Sequence, residues 1–462
     1  MKAAVVPVSL KDLQSLRNKI VTFLRMRCIS KTSSIVALGR LILMRRYFLV
    51  SLLLCLFPFS VFADSPSVLT WMDCLREASQ NHPDLISAKE DVIQSEAAKR
   101  ITAANALPDI SADLSASTSS ATASGSSKSF SYGISGSQLL FDGKTFSNIR
   151  AAQEDIKAAK FGYQFTSTDV RQRLREAFVN LLKAQELINL TEEIYKLRKG
   201  NLELITLRYE SGTEHKGALL TAKANVAQAA FEINSAKRGL EAAQRELTKE
   251  LGRKEFLPFA VQGDLSAVAL NQEGPSFEAL ADKTPSLQKI IAQKNAAAFD
   301  VKASRGEFLP SVVLNGGASK SDHEWPPGED ETSAGVSVSL PLFAGGANTS
   351  RLAQSRSIYR QLEQQERSLR DATIVDLQKS WNSFSDAVER VQVQNGFLAA
   401  IEERAKIAQA QYSVGLITFD NWTIIEDDLV SGRKTFLDVQ AAALVAEANW
   451  IKAKGETMEY EN

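Results

Sequence analysis

The order of polar and apolar residues follows two different periods along this chain, and each period predicts a different kind of element. Between Ile110 and Ser117, apolar residues alternate strictly with Ser or Asp, which is the pattern of a β-strand with two unlike faces. The same alternation returns at 130–135 and 336–342, and at 311–315 with one interruption at Val313. These stretches predict four strands, two in each half of the chain.

Strands with one apolar face and one small polar face fit two environments. They suit the wall of a membrane β-barrel, with lipid outside and water inside, and they suit an antiparallel soluble sheet with one buried face. The alternation does not choose between these environments. The links within each strand pair, Ser117–Lys128 and Ser319–Thr332, are Ser-rich and acidic respectively, and both are predicted to be exposed loops.

The segment from Lys144 to Glu210 predicts one very long helix, because it has no proline and only two glycines. Its apolar residues recur at the alternating three- and four-residue spacing of a coiled-coil seam. The second such segment, 347–414, keeps the same spacing. About 67 residues at 1.5 Å per residue give a rod of roughly 100 Å. The seam residues are Leu187, Leu190, Ile194 and Leu197 in the first segment, and Leu377, Trp381, Phe384, Val388 and Val391 in the second.

Shorter helices are predicted before each strand pair and after each long helix. The first kind is rich in Ala, Lys and Glu and ends at a Leu-Pro pair, because proline disfavours helix in the residue before it. The second kind is Ala-rich and follows a glycine-containing turn that reverses the chain. The predicted ranges are 84–106 and 286–308 for the first helices, 211–217 and 415–421 for the turns, and 218–250 and 422–454 for the returning helices.

The chain repeats this plan once. Three landmarks recur at an offset of 202 residues and a fourth at 203. They are Pro83-Asp84-Leu85 with Pro285-Ser286-Leu287, Leu107-Pro108 with Leu309-Pro310, Leu140-Phe141-Asp142-Gly143 with Leu342-Phe343-Ala344-Gly345, and Tyr209-Glu210-Ser211-Gly212 with Tyr412-Ser413-Val414-Gly415. The predicted organisation is a first repeat at 64–251, an equatorial linker at 252–283, a second repeat at 284–456 and a short tail at 457–462. Each repeat reads helix–strand–strand–long helix–helix.

Residues 1–63 are predicted to be an N-terminal extension followed by a secretory signal. Met44-Arg45-Arg46 precedes an apolar run of 13 residues, Tyr47 to Phe59, and Ser60-Val61-Phe62-Ala63 then offers a cleavage site after Ala63. A membrane anchor is the alternative, but the run is short for the roughly 20 residues that a spanning helix needs. Residues 1–43 fit neither signal nor fold, so Met44 is a candidate true start. Lipidation of Cys55 is not expected, because this residue lies inside the apolar core.

Charge and reactive residues argue against an enzyme or a nucleic-acid-binding protein. Residues 1–63 hold ten of the 54 basic and one of the 54 acidic side chains, which leaves a formal charge of −9 from Asp64 onward. Cys74 is the one cysteine of that part, so no internal disulfide or multi-cysteine metal site is expected. No phosphate-binding Gly-rich loop with Lys occurs, and no cofactor is expected. The three histidines lie in separate segments without metal-site spacing and are expected to be exposed: His82, His215 and His323.

Four strands cannot close a barrel, and an open sheet edge cannot face lipid because its backbone groups would find no hydrogen-bond partner there. Bacterial outer-membrane barrels begin at about eight strands. If these strands span a membrane, the chain must therefore oligomerise, as a dimer with eight strands or as a trimer with twelve.

The repeat, the Leu-Pro strand entries, the Leu-Phe-x-Gly strand exits and the Tyr-x-x-Gly tip turns resemble the TolC-type outer-membrane efflux proteins over about 68–455. The resemblance implies a mainly α protein with membrane β-structure: a homotrimer with a twelve-stranded β-barrel in the outer membrane and a twelve-helix α-barrel in the periplasm. It implies a passive exit duct for efflux or type I secretion, served by a periplasmic adaptor and an inner-membrane pump or ABC transporter. The rival hypothesis is a soluble periplasmic coiled-coil scaffold or adaptor, which does not explain two strand hairpins at matching places.

The resemblance also implies a periplasmic gate just after the second tip turn. Tyr412 and Gly415 match the family pattern, whereas Ile417 replaces an Arg, and Asn421 and Ile424 replace acidic residues, so the family's Arg–acid lock is not expected. Three interpretations of the segment after the second tip turn stay open. They are an acidic ring formed by three-fold repetition, an apolar constriction that gates by dewetting, and a merely solvated acidic face near a helix start. The ring would use Asp420, Glu426, Asp427 and Asp428, and the constriction would use Ile417, Phe419 or Trp422.

The gate residues predicted from these interpretations are Tyr412, Ile417, Asp420, Asn421, Glu426 and Asp427. The tip turns are predicted to dock the adaptor through Tyr209, Ser211 and Gly212 in the first repeat and Tyr412, Ser413 and Gly415 in the second.

Overall fold

The structure is a computed structural model that describes residues 68–121, 125–266 and 274–461. The predicted signal, its cleavage site after Ala63, Cys55 and the candidate start Met44 lie outside the described residues. The first repeat comprises β1 (Val68–Leu69), α1 (Trp71–Asn81), α2 (Pro83–Ala104), β2 (Asp109–Ala121), β3 (Gly125–Phe141), α3 (Thr145–Glu210) and α4 (Lys216–Glu250).

After a short joint, the second half of the chain repeats the order of α2, β2, β3, α3 and α4. The joint contributes β4 (Ala260–Val261) and α5 (Phe277–Ala281). The repeat itself consists of α6 (Pro285–Gly306), β5 (Ser311–Asp322), β6 (Glu329–Ser339), α7 (Ala347–Ser413) and α8 (Phe419–Lys454), and a 3₁₀ turn at Met458–Glu461 follows.

The four long strands form one antiparallel sheet in the order β2-β3-β5-β6. Its register puts the alternating apolar residues on one face, because Leu114 pairs with Tyr132 and Leu314 pairs with Val336. On the other face, the hydroxyl groups of Ser115 and Ser131 are 2.8 Å apart. The predicted two-faced strands are therefore present, and the structure describes both faces as exposed or half-buried in a single chain.

The hairpins are longer, and their loops shorter, than the sequence analysis predicts. The sequence predicts a loop at Ser117–Lys128, but β2 continues to Ala121 and β3 begins at Gly125, with Thr118 paired with Lys128. The acidic link between β5 and β6 is also shorter than predicted and spans residues 323–328. Backbone pairing continues past the end of the apolar pattern because Ser and Thr side chains tolerate a strand in contact with water.

Strand β6 ends earlier than the alternation predicts. It stops at Ser339, so Leu340 and Leu342 lie outside the strand. Pro341 explains the end, because proline has no N–H to donate to the sheet. The exposed apolar residues that follow lead from the sheet into α7.

The helices form a column below the sheet. The long helices α3 and α7 have 66 and 67 residues, close to the predicted bounds, which at 1.5 Å per residue gives about 100 Å each. Helix α3 packs against α2, α4, α6 and α8, and α7 packs against α6 and α8. Among the described residues, every helix is too polar or too short to cross a bilayer.

The elements that hold the middle of the column together are not evident in the sequence pattern. Helix α1 is capped by Thr70, whose side chain accepts a hydrogen bond from Asp73 N–H, and β1 pairs in parallel with β4. They cover a hydrophobic cluster between the two repeats. Its buried members include Cys74, Leu75, Leu174, Phe178, Leu181, Leu247, Phe259 and Leu444.

His82 is buried, although its sequence context predicts an exposed side chain. It is buried at the junction of α1 and α2, where its Nδ1 accepts a 3.1 Å hydrogen bond from Asp84 N–H. Its Nε2 lies 3.3 Å from the carboxylate of Glu250, the last residue of α4. The end of α4 therefore meets the start of α2, and tertiary packing of two helix ends removes this ring from solvent. His215 and His323 are exposed, as expected.

Candidate functional site at the helical tips

The two tip turns, at the end of the column opposite the sheet, are built alike. At the end of α3, Gly212 has φ of +73°, and its N–H donates to Tyr209 O. At the end of α7, Gly415 has φ of +83°, and its N–H donates to Tyr412 O. A left-handed residue at this position ends the helix and satisfies its last carbonyls, which is why glycine is needed there. The returning helices are capped by His215 Nδ1 and by the hydroxyl of Thr418.

Tyr412 and Tyr209 hold equivalent places in the repeat, but their surroundings differ. Tyr209 is 38% exposed, whereas Tyr412 is 1% exposed. Tyr412 belongs to a hydrophobic cluster, here called the tip cluster, that joins all four helices at this end. The buried residues of the tip cluster are Ile205, Ala218, Ala222, Ala408, Tyr412, Phe419 and Trp422.

The ring of Tyr412 lies between an aromatic ring and a cation. It stacks on Trp422 with ring centroids 4.3 Å apart and an interplanar angle of 9°. The guanidinium of Arg208 lies 4.7 Å from the ring centroid and donates a 2.8 Å hydrogen bond to Tyr412 O. The hydroxyl of Tyr412 donates a 2.8 Å hydrogen bond to Glu214, and burial raises the pKa of this hydroxyl. Tyr412 thus connects the second helical hairpin to the first.

Glu426 lies one helical turn from Trp422 on α8 and is 2% exposed. Asn201 on α3 donates a 3.1 Å hydrogen bond to its carboxylate. Burial raises the pKa of this carboxyl group, although the bond from Asn201 and the charge of Arg198 oppose the change. The side chain therefore faces α3 inside the protomer.

The two carboxylates after Glu426 are exposed and paired. Asp427 forms an ion pair with Arg198, which is itself buried on α3. Asp428 lies 3.4 Å from Arg404 on α7. The acidic run at the start of α8 therefore contacts the two long helices that flank it, and each carboxylate has its own partner.

The structure separates the remaining predicted gate residues into two groups. Asp420 and Asn421 are exposed in the first turn of α8, where Asn421 N–H donates to Thr418. Ile417 is half-buried beside the tip cluster. Of the residues considered for an apolar constriction, Phe419 and Trp422 are buried in the protomer's own tip cluster.

The predicted docking residues lie together at the extreme end of the column. Ser211, Gly212, Ser413 and Gly415 are all exposed. The hydroxyl of Ser211 donates a 2.9 Å hydrogen bond to Arg208 O, so the turn is internally closed while its outer surface stays free. Tyr412, which is also among the predicted docking residues, differs from them because it is buried.

Sequence reasoning missed the partners of the buried tip residues. Arg208, Glu214, Asn201 and Arg198 come from the first repeat, more than 190 residues before the groups that they contact. Arg208 carried one weak signal, its place next to Tyr209 in the repeated motif. The described residues contain no group of three His, Cys, Asp or Glu side chains that could hold a metal ion.

With this geometry in place, comparisons with known proteins decide the family. Residues 74–253 and 278–456 match the sequence profile of the family described as "Outer membrane efflux protein". The chain belongs to the outer membrane efflux protein family. This outer-membrane efflux protein is therefore a transport protein and not an enzyme, as the sequence analysis predicted from its residues and its TolC-type resemblance.

Relatives and solved structures agree with this assignment. The outer membrane efflux protein BepC of Brucella suis biovar 1 is 24% identical over 330 residues, which cover 70% of this chain and 71% of BepC. The outer membrane protein TolC of Vibrio cholerae is 23% identical over 305 residues, 62% of this chain and 68% of TolC. The structure of CusC superposes with a TM-score of 0.76 at 20% identity, over 86% of this chain and 95% of CusC. The structure of the outer membrane protein VceC of Vibrio cholerae superposes with a TM-score of 0.72 at 19% identity, over 83% of this chain and 96% of VceC. The fold is thus the mainly helical fold of TolC-like channels.

Proposed function

We propose that this outer-membrane efflux protein works as a homotrimer whose twelve strands close a β-barrel in the outer membrane and whose helices form a twelve-helix tunnel in the periplasm. The observation that supports it best is a four-stranded open sheet with an apolar face that none of the described residues covers. Ile110 on that face is 76% exposed, and Val338 is 66% exposed. An exposed apolar face of this kind requires either lipid or another protein surface.

The sheet edges give the reason for closure. Strands β2 and β6 are the outer strands of the described sheet, and each has one side without a strand partner within the described residues. In lipid, an open edge leaves backbone N–H and C=O groups without hydrogen bonds. Pairing β6 of one protomer with β2 of the next removes every edge, and three protomers give twelve strands, within the range of bacterial barrels.

Aromatic and large apolar residues stand at both ends of the apolar face. Trp325 contacts Phe130 and Tyr132 at the loop end, with ring centroids 6.2 and 6.4 Å apart. Phe141 and Phe343 are exposed at the end that joins the helices. Outer-membrane barrels carry aromatic girdles at both membrane interfaces, so this distribution supports a membrane position for the sheet.

As a trimer, the protein is a passive exit duct. Its sequence contains no nucleotide-binding loop, so energy must come from an inner-membrane pump or ABC transporter, reached through a periplasmic adaptor. Among its relatives, AprF of Pseudomonas aeruginosa is named an alkaline protease secretion protein and TtgC of Pseudomonas putida a toluene efflux pump outer membrane protein. Efflux and type I secretion are therefore the two systems in which we place the duct.

The tips supply the periplasmic gate and the adaptor contact. We assign the lining of the gate to the exposed residues of the set, Asp420 and Asn421, and a supporting role to the buried ones, Tyr412 and Glu426, which fix the position of α8 from inside the protomer. Ile417 is half-buried, and Asp427 is exposed but held by its ion pair with Arg198. The exposed turns at Ser211–Gly212 and Ser413–Gly415 meet the adaptor.

One measurement tests the assembly. Cells that express the full chain are fractionated on a sucrose gradient, and the extracted protein is weighed by light scattering with correction for detergent. We expect an outer-membrane particle at three times the protomer mass. A soluble monomer or dimer in the periplasm would refute the barrel and favour the coiled-coil scaffold.

A further inference from the structure

A groove between α6 and α7, close to the sheet, carries four positive charges. Lys302 and Arg305 line it from α6, and Arg356 and Arg360 line it from α7, with Tyr359 half-buried between them. The floor is apolar, and the groove is open to solvent. On each helix the lining residues follow three- and four-residue spacing, so both helices present one face to the same groove.

These cations have no acidic partner in the described part of the chain. None of the four side chains forms an ion pair there, although Arg360 Nε donates a 3.4 Å bond to Arg356 O and Lys302 lies 4.6 Å from the ring centroid of Phe299. By contrast, Arg351 near the start of α7 and Lys144 just before α3 both bind Glu307. Four unpaired like charges in one groove repel one another, which a bound anion would relieve.

The first repeat does not contain this groove. The residues 202 positions earlier are Arg100, Ala103, Glu154 and Ala158. Glu154 forms an ion pair of 2.7 Å with Lys157, so the equivalent place has no comparable excess of positive charge. The cluster is therefore not a general need of the repeated fold.

The register of the two helices sets the height of the groove. The hydroxyl groups of Ser304 and Ser355 are 2.8 Å apart, so the neighbouring Arg305 and Arg356 stand at one level. Arg356 is nine residues into α7, about 14 Å below the start of that helix. Because side chains tilt toward the N-terminus of their helix, Arg356 and Arg360 lean toward the sheet. Lys302 and Arg360 lie about one turn farther down.

Exposed apolar residues lie between the apolar face of the sheet and this groove. Leu342 and Phe343, just before α7, are each 89% exposed, and Leu340 is 50% exposed. Along the chain from β6 into α7, the order is thus apolar strand, large exposed apolar side chains and then cations. This is the order of the hydrocarbon core, its interface and the phosphate level of a bilayer.

We propose that this groove binds the phosphate headgroup of an anionic phospholipid in the periplasmic leaflet of the outer membrane. Arg305 and Arg356 contact the phosphate, Lys302 and Arg360 add positive potential below it, and Ala298, Val301 and Ala353 line the apolar floor. The proposal rests on the proposed function, which places the sheet in the membrane. Basic pockets next to membrane-spanning segments bind anionic headgroups by the same electrostatics.

The test uses the purified full-length protein and native mass spectrometry to count bound lipid. Phosphatidylglycerol and phosphatidylcholine with the same acyl chains are added in turn, to the wild type and to a variant with Lys302, Arg305, Arg356 and Arg360 changed to Gln. The wild type is expected to retain phosphatidylglycerol in preference to phosphatidylcholine. The variant is expected to lose this preference, because each basic group near the surface contributes about a factor of five, and four such factors multiply to about 600.

A matched control removes four exposed charges that lie on the helices farther from the sheet: Lys199, Lys223, Lys237 and Lys379 to Gln. Its retention is expected to equal the wild type; equal losses in both variants, or no loss in either, would overturn the headgroup site. A further arm adds inorganic phosphate, and displacement of the lipid at millimolar phosphate would make this a free-anion site instead. The native mass and membrane fraction of the same samples report on the proposed function separately.

Discussion

The hydroxyl group of Tyr412 donates a 2.8 Å hydrogen bond to the carboxylate of Glu214, so the end of α7 is tied to the turn that follows α3. Arg208 reinforces the link by donating a 2.8 Å hydrogen bond to the backbone of Tyr412 while it covers the ring. These contacts join two helical hairpins whose residues are about 200 positions apart in sequence. Any movement that separates the hairpins at the tip must therefore break them.

The first prediction concerns this link. Tyr412→Phe keeps the stack on Trp422 but removes the bond to Glu214, at a cost of about 1.5–3 kcal/mol for a hydrogen bond to a charged group. The tips should separate more easily, so single-channel conductance in planar bilayers should rise, and Tyr412→Ala should raise it further. The control is Tyr209→Phe at the equivalent, partly exposed position of the first repeat. Wild-type conductance in both Tyr412 variants would remove this residue from the gate.

The second prediction is a pH dependence at Glu426. Its pKa is raised chiefly by burial, so the folded tip binds the proton more tightly than the unfolded chain does. The stabilisation is then fully present below the ordinary pKa of Glu and is lost as pH rises through the raised pKa. The start of α8 should be better protected at mildly acidic pH than at neutral pH.

Hydrogen exchange of residues 419–430 between pH 5 and pH 8, corrected for intrinsic exchange rates, measures this effect. Glu426→Gln should keep the contact with Asn201, remove the pH dependence and increase protection at neutral pH, because no charge remains to be buried. Glu203→Gln, an exposed carboxylate on α3, is the control. A wild-type pH profile in the Glu426→Gln protein would contradict the assignment.

The sequence was sufficient for the long strands and for the helices of the repeated plan, because their signals are local. Alternation from Ile110 to Ser117 fixed the strand faces, and the Tyr-x-x-Gly motifs at 209–212 and 412–415 located the turns, since a left-handed residue must follow the helix there. Boundaries were less accurate where a second signal competes. Pro341 ended β6 before the apolar pattern did.

The surroundings of the candidate site could not be predicted in the same way. Tyr209 and Tyr412 hold equivalent places in the repeated motif, yet only Tyr412 is buried. Its ring is covered by Trp422 from its own repeat and by Arg208 from the other repeat. The sequence around Glu426 predicts a solvated acid at a helix start. Its carboxylate instead accepts a hydrogen bond inside the protomer from Asn201, 225 residues away. Such burial depends on which helices pack together, and periodicity within one helix does not encode that choice.

A third prediction concerns His82, which caps α2 with Nδ1 and contacts Glu250 with Nε2. His82→Ala removes both contacts and leaves a buried carboxylate with Arg173 at 3.6 Å and Lys249 at 2.9 Å. We expect a loss of about 1–3 kcal/mol in local stability from the cap and the bond together. Hydrogen exchange at residues 78–90 measures it. His82→Asn restores the cap alone and should recover part of the loss; full recovery would show that the contact with Glu250 contributes nothing.

The last prediction tests the close crossing where α6 ends against the start of α3. A Cβ atom on Gly306 would lie 2.4 Å from the carbonyl carbon of Gly143, and the backbone there is held by the 2.6 Å ion pair between Lys144 and Glu307. Because backbone cannot move aside as a side chain does, Gly306→Ala should destabilise the protein by about 1–3 kcal/mol or more. Gly200→Ala, where nothing lies within 4 Å, should instead stabilise by about 0.5–1 kcal/mol, since alanine favours helix. Thermal loss of helical circular dichroism compares the two variants with the wild type. A Gly→Ala change should lower the stability at Gly306 and raise it at Gly200 only if the backbones are in steric contact at the crossing. Equal shifts of the unfolding temperature in the two variants would mean that these backbones are farther apart than the structure places them.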